Sequence, residues 1–72
     1  MTLKELAAEY RKSAEAIRVR INELREKADK PGTKYEERFW LNKRITELET
    51  IMAEKMREAF YLENYYIKAG EN

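Results

Sequence analysis

The side chains of this chain able to do chemistry are carboxylates, lysines, arginines and tyrosines. Its 72 residues include no cysteine and no histidine. That removes thiolate nucleophiles, thiolate zinc ligands and the commonest general base near neutral pH. Paired carboxylates occur at Glu36-Glu37 and at Glu5 with Glu9; on the solvated face of a helix these are ordinary surface charges. No glycine-rich phosphate loop, serine-centred nucleophile elbow or metal-ligand spacing is present. The sequence therefore assigns no catalytic, cofactor-binding or metal-ligating residue and no small-molecule substrate, and the expectation is a non-enzymatic protein. One charge pattern stands out. Lys4, Arg11, Arg18 and Arg25 repeat every seven residues, a row that on a helix would run roughly 30 Å and could track phosphates. Glu15, Asn22, Asp29 and Glu49 fall alongside it, and 15 basic residues against 14 acidic leave a formal charge of +1. A dedicated nucleic-acid binder carries a larger basic surplus. The row reads first as arginines paired with acids and only second as a nucleic-acid contact.

The elements that carry these residues are two helices. Pro31 and Gly32 sit side by side near the middle, Gly70 lies close to the end, and strong helix formers fill the rest. Thr2 with Glu5 has the spacing of a capping box, with Met1 and Leu6 as its hydrophobic staple, and Thr33 with Glu36 repeats the box after the turn. Pro31 disfavours helical geometry at Lys30, and Gly70 suits a C-terminal cap. The reading is one all-α domain: helix 3–29, turn 30–33, helix 34–69, an antiparallel coiled-coil-like hairpin with arms of about 40 and 53 Å. No apolar run approaches the ~18 residues of a membrane span. Lys4, Glu5, Glu9 and Arg11 interrupt any apolar signal core at the start, so a soluble cytoplasmic protein is expected.

The apolar rhythm fixes a seam. Leu3, Ala7, Tyr10, Ala14, Ile17, Ile21, Leu24 and Ala28 advance by alternate steps of four and three. Leu41, Ile45, Leu48, Met52, Ala59, Leu62 and Tyr66 do the same, with Arg38 and Lys55 as polar members. This is a heptad pattern. Folding one helix over the other about Pro31-Gly32 pairs Ile17 with Ile45, Ile21 with Leu41, Ala14 with Leu48, Tyr10 with Met52 and Leu3 with Ala59, all summing to 62. Arg11 with Glu49 and Lys27 with Glu37 become the expected flanking ion pairs. Two seam pairs fit badly in this register: Leu24 meets Arg38, and Ala7 meets Lys55.

Apolar side chains outnumber what one seam can hide. The second helix still has Tyr35, Phe39, Trp40, Ile51, Met56, Phe60, Tyr61, Tyr65 and Ile67. Phe39, Thr46, Ala53, Phe60 and Ile67 form a strict seven-residue column bordered by Tyr35 and Met56. An apolar surface of that extent marks an interface. The expected assembly is a homodimer through the second helix, a four-helix bundle, with Tyr35, Phe39, Trp40, Ala53, Met56, Phe60, Tyr61, Tyr65, Tyr66 and Ile67 as interface residues for a second copy or an unidentified protein partner. The tip around Tyr65-Tyr66 overhangs the first helix and is a candidate docking point, tyrosine being a frequent anchor at interfaces.

The runs Leu3-x-x-Leu6-x-x-x-Tyr10-x-x-Ser13-Ala14-x-x-Ile17-Arg18-x-Arg20-Ile21-x-x-Leu24 and Arg44-Ile45-x-x-Leu48-x-x-Met52, followed by Tyr65-Tyr66, resemble a group of small uncharacterised helical-hairpin proteins of clostridia-like Gram-positive bacteria associated with mobile elements and phage-like regions. The resemblance implies a bacterial cytoplasmic accessory protein and brings no catalytic residues with it.

Overall fold

The computed structural model describes residues 2–65. Over these, the chain is an antiparallel pair of helices, α1 (Leu3–Asp29) and α2 (Tyr35–Glu63), packed along their lengths. The all-helical hairpin is thus as expected, with α2 starting one residue later than 34 and ending at Glu63, where Asn64 is its C-cap, rather than running on. Residues 66–69 of the expected second helix, with Met1 and Gly70, lie outside the described residues.

The two helix starts behave differently. At α1 the capping box is complete. The Glu5 amide donates to Thr2 Oγ1 at 3.1 Å, and the Thr2 amide donates to Glu5 Oε1 at 3.4 Å, so two of the helix's open N–H groups are satisfied reciprocally. The second box, Thr33 with Glu36, does not form. Lys34 is the N-cap of α2 and makes no side-chain capping bond. Thr33 Oγ1 instead donates to the Lys27 carbonyl at 2.9 Å, and Arg38 Nε donates to the Ala28 carbonyl at 3.1 Å. Both carbonyls belong to the last turn of α1, beyond the reach of a continuing helix's amides; that of Lys27 also takes the Lys30 amide, at 3.4 Å. The hydroxyl that would cap α2 is spent closing α1.

The link between the helices is a tight turn. The Thr33 amide donates to the Lys30 carbonyl at 3.2 Å, and Gly32 sits at φ +88°. Proline followed by a residue of positive φ, closed by that bond, is the arrangement of a type II turn. A Cβ on Gly32 would meet nothing within 4 Å, so the backbone angle alone, not crowding, calls for glycine there.

Packing is concentrated toward the turn. Ile21, Leu24, Ile45 and Leu48 form the buried cluster, with Ile17, Leu41 and Met52 packed against it. Toward the open end the buried residues are small: Ala7, Ala14 and Ala59.

Among the described residues, the contacts across the helices include none of the expected flanking ion pairs, Arg11 with Glu49 and Lys27 with Glu37. Lys55 Nζ stands over the Tyr10 ring, 5.2 Å from its centroid, and Arg38 Nε donates to the Ala28 carbonyl. Arg11 pairs with Glu63, and Arg25 with Glu49. The acid that Arg11 holds lies two heptads beyond the expected Glu49, and Glu49 is taken by Arg25. Arg38 and Lys55, which met Leu24 and Ala7 in the expected pairing, here find a carbonyl and a ring face.

Candidate interaction surface

The surface is built on α2, whose sequence places apolar residues on the seam and on its outer positions at once. All of the expected interface residues within the described range are exposed: Tyr35, Phe39, Trp40, Ala53, Met56, Phe60, Tyr61 and Tyr65. Tyr66 and Ile67 lie outside it. Tyr35 is 82% exposed, Trp40 61% and Phe60 60%. These are large rings that would each bury ~200 Å² in a core.

Helical spacing sorts them into neighbouring rows. Phe39, Thr46, Ala53 and Phe60 make one column, bordered by Tyr35 and Met56. Trp40 and Tyr61 lie one position further around, and Ile51 and Tyr65 further still. Phe39 and Trp40 meet edge to face, with centroids 5.3 Å apart and planes at 81°. Tyr61 and Tyr65 do the same at 6.5 Å. Lys43 Nζ stands 5.1 Å from the Trp40 ring, a cation over a π face. The polar members of the column are turned inward. Thr46 Oγ1 donates to the Asn42 carbonyl at 3.1 Å, and the adjoining Thr50 Oγ1 to the Thr46 carbonyl at 3.2 Å. Such back-bonding satisfies the hydroxyls within the helix and leaves the methyl groups facing out.

The basic row of α1 is largely matched by acids. Arg11 holds Glu63 with two bonds of 2.6 Å. Arg25 pairs with Glu49 across the helices. Arg18 forks onto Glu15 of its own helix at 2.7–3.0 Å. Lys4 lies beside Ala8, Arg11 and Glu63 at a shallow recess. Arg11 and Glu63 tune each other: the hydrogen bond and then the charge of Glu63 hold the guanidinium above its ordinary pKa. The hydrogen bond from Arg11 holds the Glu63 carboxyl below its ordinary value. A row whose charges are already answered by carboxylates has little attraction left for phosphates.

One feature of this side escaped the sequence reading. Glu49, Met56 and Glu63 are seven residues apart on α2, and Arg25, Arg18 and Arg11 are seven apart on α1. The first and last of each set pair, and Met56 stands where a third acid would meet Arg18. Arg18 turns to Glu15, and the two line a recess of about 410 Å³ with Arg11, Ala14, Met52 and Met56. The signal was present in the sequence as two heptad rows, but using it needs the register.

Comparison of the chain with protein-family models, with curated proteins and with solved structures finds no match.

Proposed function

We propose that this chain is a non-enzymatic helical-hairpin module that self-associates through the outer face of α2 and offers a helical surface for protein interaction. One observation carries the reading: large apolar side chains lie open along α2 while the buried core is small and built mostly from alanine, leucine and isoleucine. A two-helix domain of this size gains little from a single seam. Covering the rings of α2 supplies apolar burial that the lone hairpin lacks, at ~25 cal/mol per Å² of surface removed from water. The simplest closed arrangement is a two-fold dimer, a four-helix bundle. A role as an accessory protein of bacterial mobile elements, in the cytoplasm, rests on the resemblance of the seam residues alone.

The test is sedimentation of the full chain at micromolar concentration, beside variants in which Trp40 or Phe60 is changed to glutamate. The reading expects a dimer whose apparent mass falls in both variants with helix content retained. A wild-type chain that stays monomeric would refute it. Because Arg11, Arg18 and Arg25 of the row are each paired with a carboxylate, the chain should not retard DNA or RNA even at low salt, where a phosphate-tracking row would bind most strongly.

A further inference from the structure

We propose that Met56 is an oxidation site for peroxides, and that the sulfoxide formed there is held by Arg18 across the helices.

The missing rung of the charged flank marks the place. Glu49, Met56 and Glu63 recur every seven residues on α2, and Arg25, Arg18 and Arg11 on α1. Glu49 and Glu63 each hold an arginine of the other helix. Arg18, between those arginines, takes its carboxylate from its own helix, at Glu15. The α2 residue of the middle rung offers only a thioether, a weak acceptor. Met56 and Arg18 line one recess of about 410 Å³, with Arg11, Ala14 and Met52.

The two arginines have donors to spare. Arg18 bonds to Glu15 through Nε and Nη2, and Arg11 bonds to Glu63 through the same two nitrogens. Neither set of bonds uses Nη1, which carries two N–H groups on each guanidinium. Both carboxylates can therefore keep their places while a further acceptor enters the recess. A strong acceptor on residue 56 would complete the third rung between the helices.

Oxidation supplies that acceptor without adding charge. The chain has no cysteine, so its three methionines are its only sulfur, and no thiolate competes for the oxidant. A lone pair of the thioether attacks one oxygen of hydrogen peroxide. The S–O bond forms as the O–O bond breaks. The proton on the transferred oxygen passes to the departing hydroxide, which leaves as water. Sulfur is oxidised by two electrons and the peroxide is reduced by two. The product is a neutral, polar sulfoxide, and a hydrogen bond to its oxygen from a guanidinium is charge-assisted.

The two methionines of α2 are unlike in what oxidation would do. Met56 is 46% exposed, within reach of a small oxidant, and it lies outside the seam. Met52 is half-buried and packs against Ile21, Leu24, Ile45 and Leu48. A sulfoxide oxygen at Met52 would be pressed into that apolar cluster, at a cost in stability. The same modification is thus accommodated at one position and disruptive one turn away.

The test treats the dilute full chain with hydrogen peroxide and follows oxidation at Met52 and Met56 by fragment mass. Met56 should be converted first. The chain oxidised at Met56 alone is then isolated and melted beside the untreated chain by circular dichroism. Its midpoint should rise by about 2–4 °C, the shift that one exposed charge-assisted bond gives a domain of this size. In Arg18→Gln, Met56 should be oxidised at the same rate, and the rise should be lost. Met56→Leu should leave the midpoint of the untreated chain nearly unchanged and remove the fast oxidation. Conversion of Met52 ahead of Met56 would overturn the proposal. So would a midpoint that falls or stays still on oxidation of Met56, or a rise of equal size in Arg18→Gln.

Discussion

The two helices of the hairpin use their apolar residues in opposite ways. Five residues of α1 are buried, and Val19 is its one large apolar side chain that is exposed. Only three residues of α2 are buried, yet Tyr35, Phe39, Trp40, Ile51, Met56, Phe60 and Tyr61 of that helix all lie open. α1 is a one-sided helix whose apolar stripe is consumed by the seam. α2 is two-sided. Its partner covers one side, and the other is as rich in rings as the seam is poor in them. The hairpin's fold and the proposed association therefore use different faces of the same helix, and substitutions on those faces should have different signatures.

The largest effect belongs to the seam. Ile21→Ala, in the buried cluster, should cost ~2–5 kcal/mol, seen as a lower midpoint in thermal circular dichroism at every protein concentration. Ala59→Leu should cost ~1–3 kcal/mol by overpacking a site that is 0% exposed. The outer face should respond differently. Phe60→Ala should change the midpoint of the dilute chain little, by about 0.5 kcal/mol or less, while removing the dependence of the midpoint on concentration that linked dimerisation produces. If Phe60→Ala lowered stability as much in dilute solution as in concentrated, the two faces would not be separable.

Smaller effects probe the ends. Gly32→Ala should destabilise by about 1 kcal/mol, measured by chemical denaturation, because alanine is strained at positive φ. Acidification should loosen the open end first. The Glu63 pKa is lowered in the folded chain, so its contribution is fully present above the unfolded carboxylate value and is lost as pH falls through the folded one. Amide exchange near Arg11 and Glu63 should quicken in that acid range. The effect should be small, both side chains being well exposed, and Glu63→Gln should remove its pH dependence.

The fold was legible because several local signals agreed. The capping box at Thr2, the Pro31-Gly32 turn and the four-three rhythm all specify two helices folded back on each other. The partners of the flanking arginines were not legible, since rows of charge at heptad spacing offer the same match one or two repeats along. Arg38 and Lys55 look like defects in the seam until the carbonyl of Ala28 and the ring of Tyr10 are brought to them. The second capping box failed for a similar reason. Thr33 has two helices within reach, and spacing along the chain does not say which one takes its hydroxyl. The exposed rings were legible as a surplus over one seam.

The most direct measurement is sedimentation equilibrium of the unmodified chain across the micromolar range. The account predicts a reversible rise from 8.7 kDa toward twice that mass, with no larger species. A single species of 8.7 kDa at all concentrations, folded and with its aromatic side chains open to solvent, would contradict it.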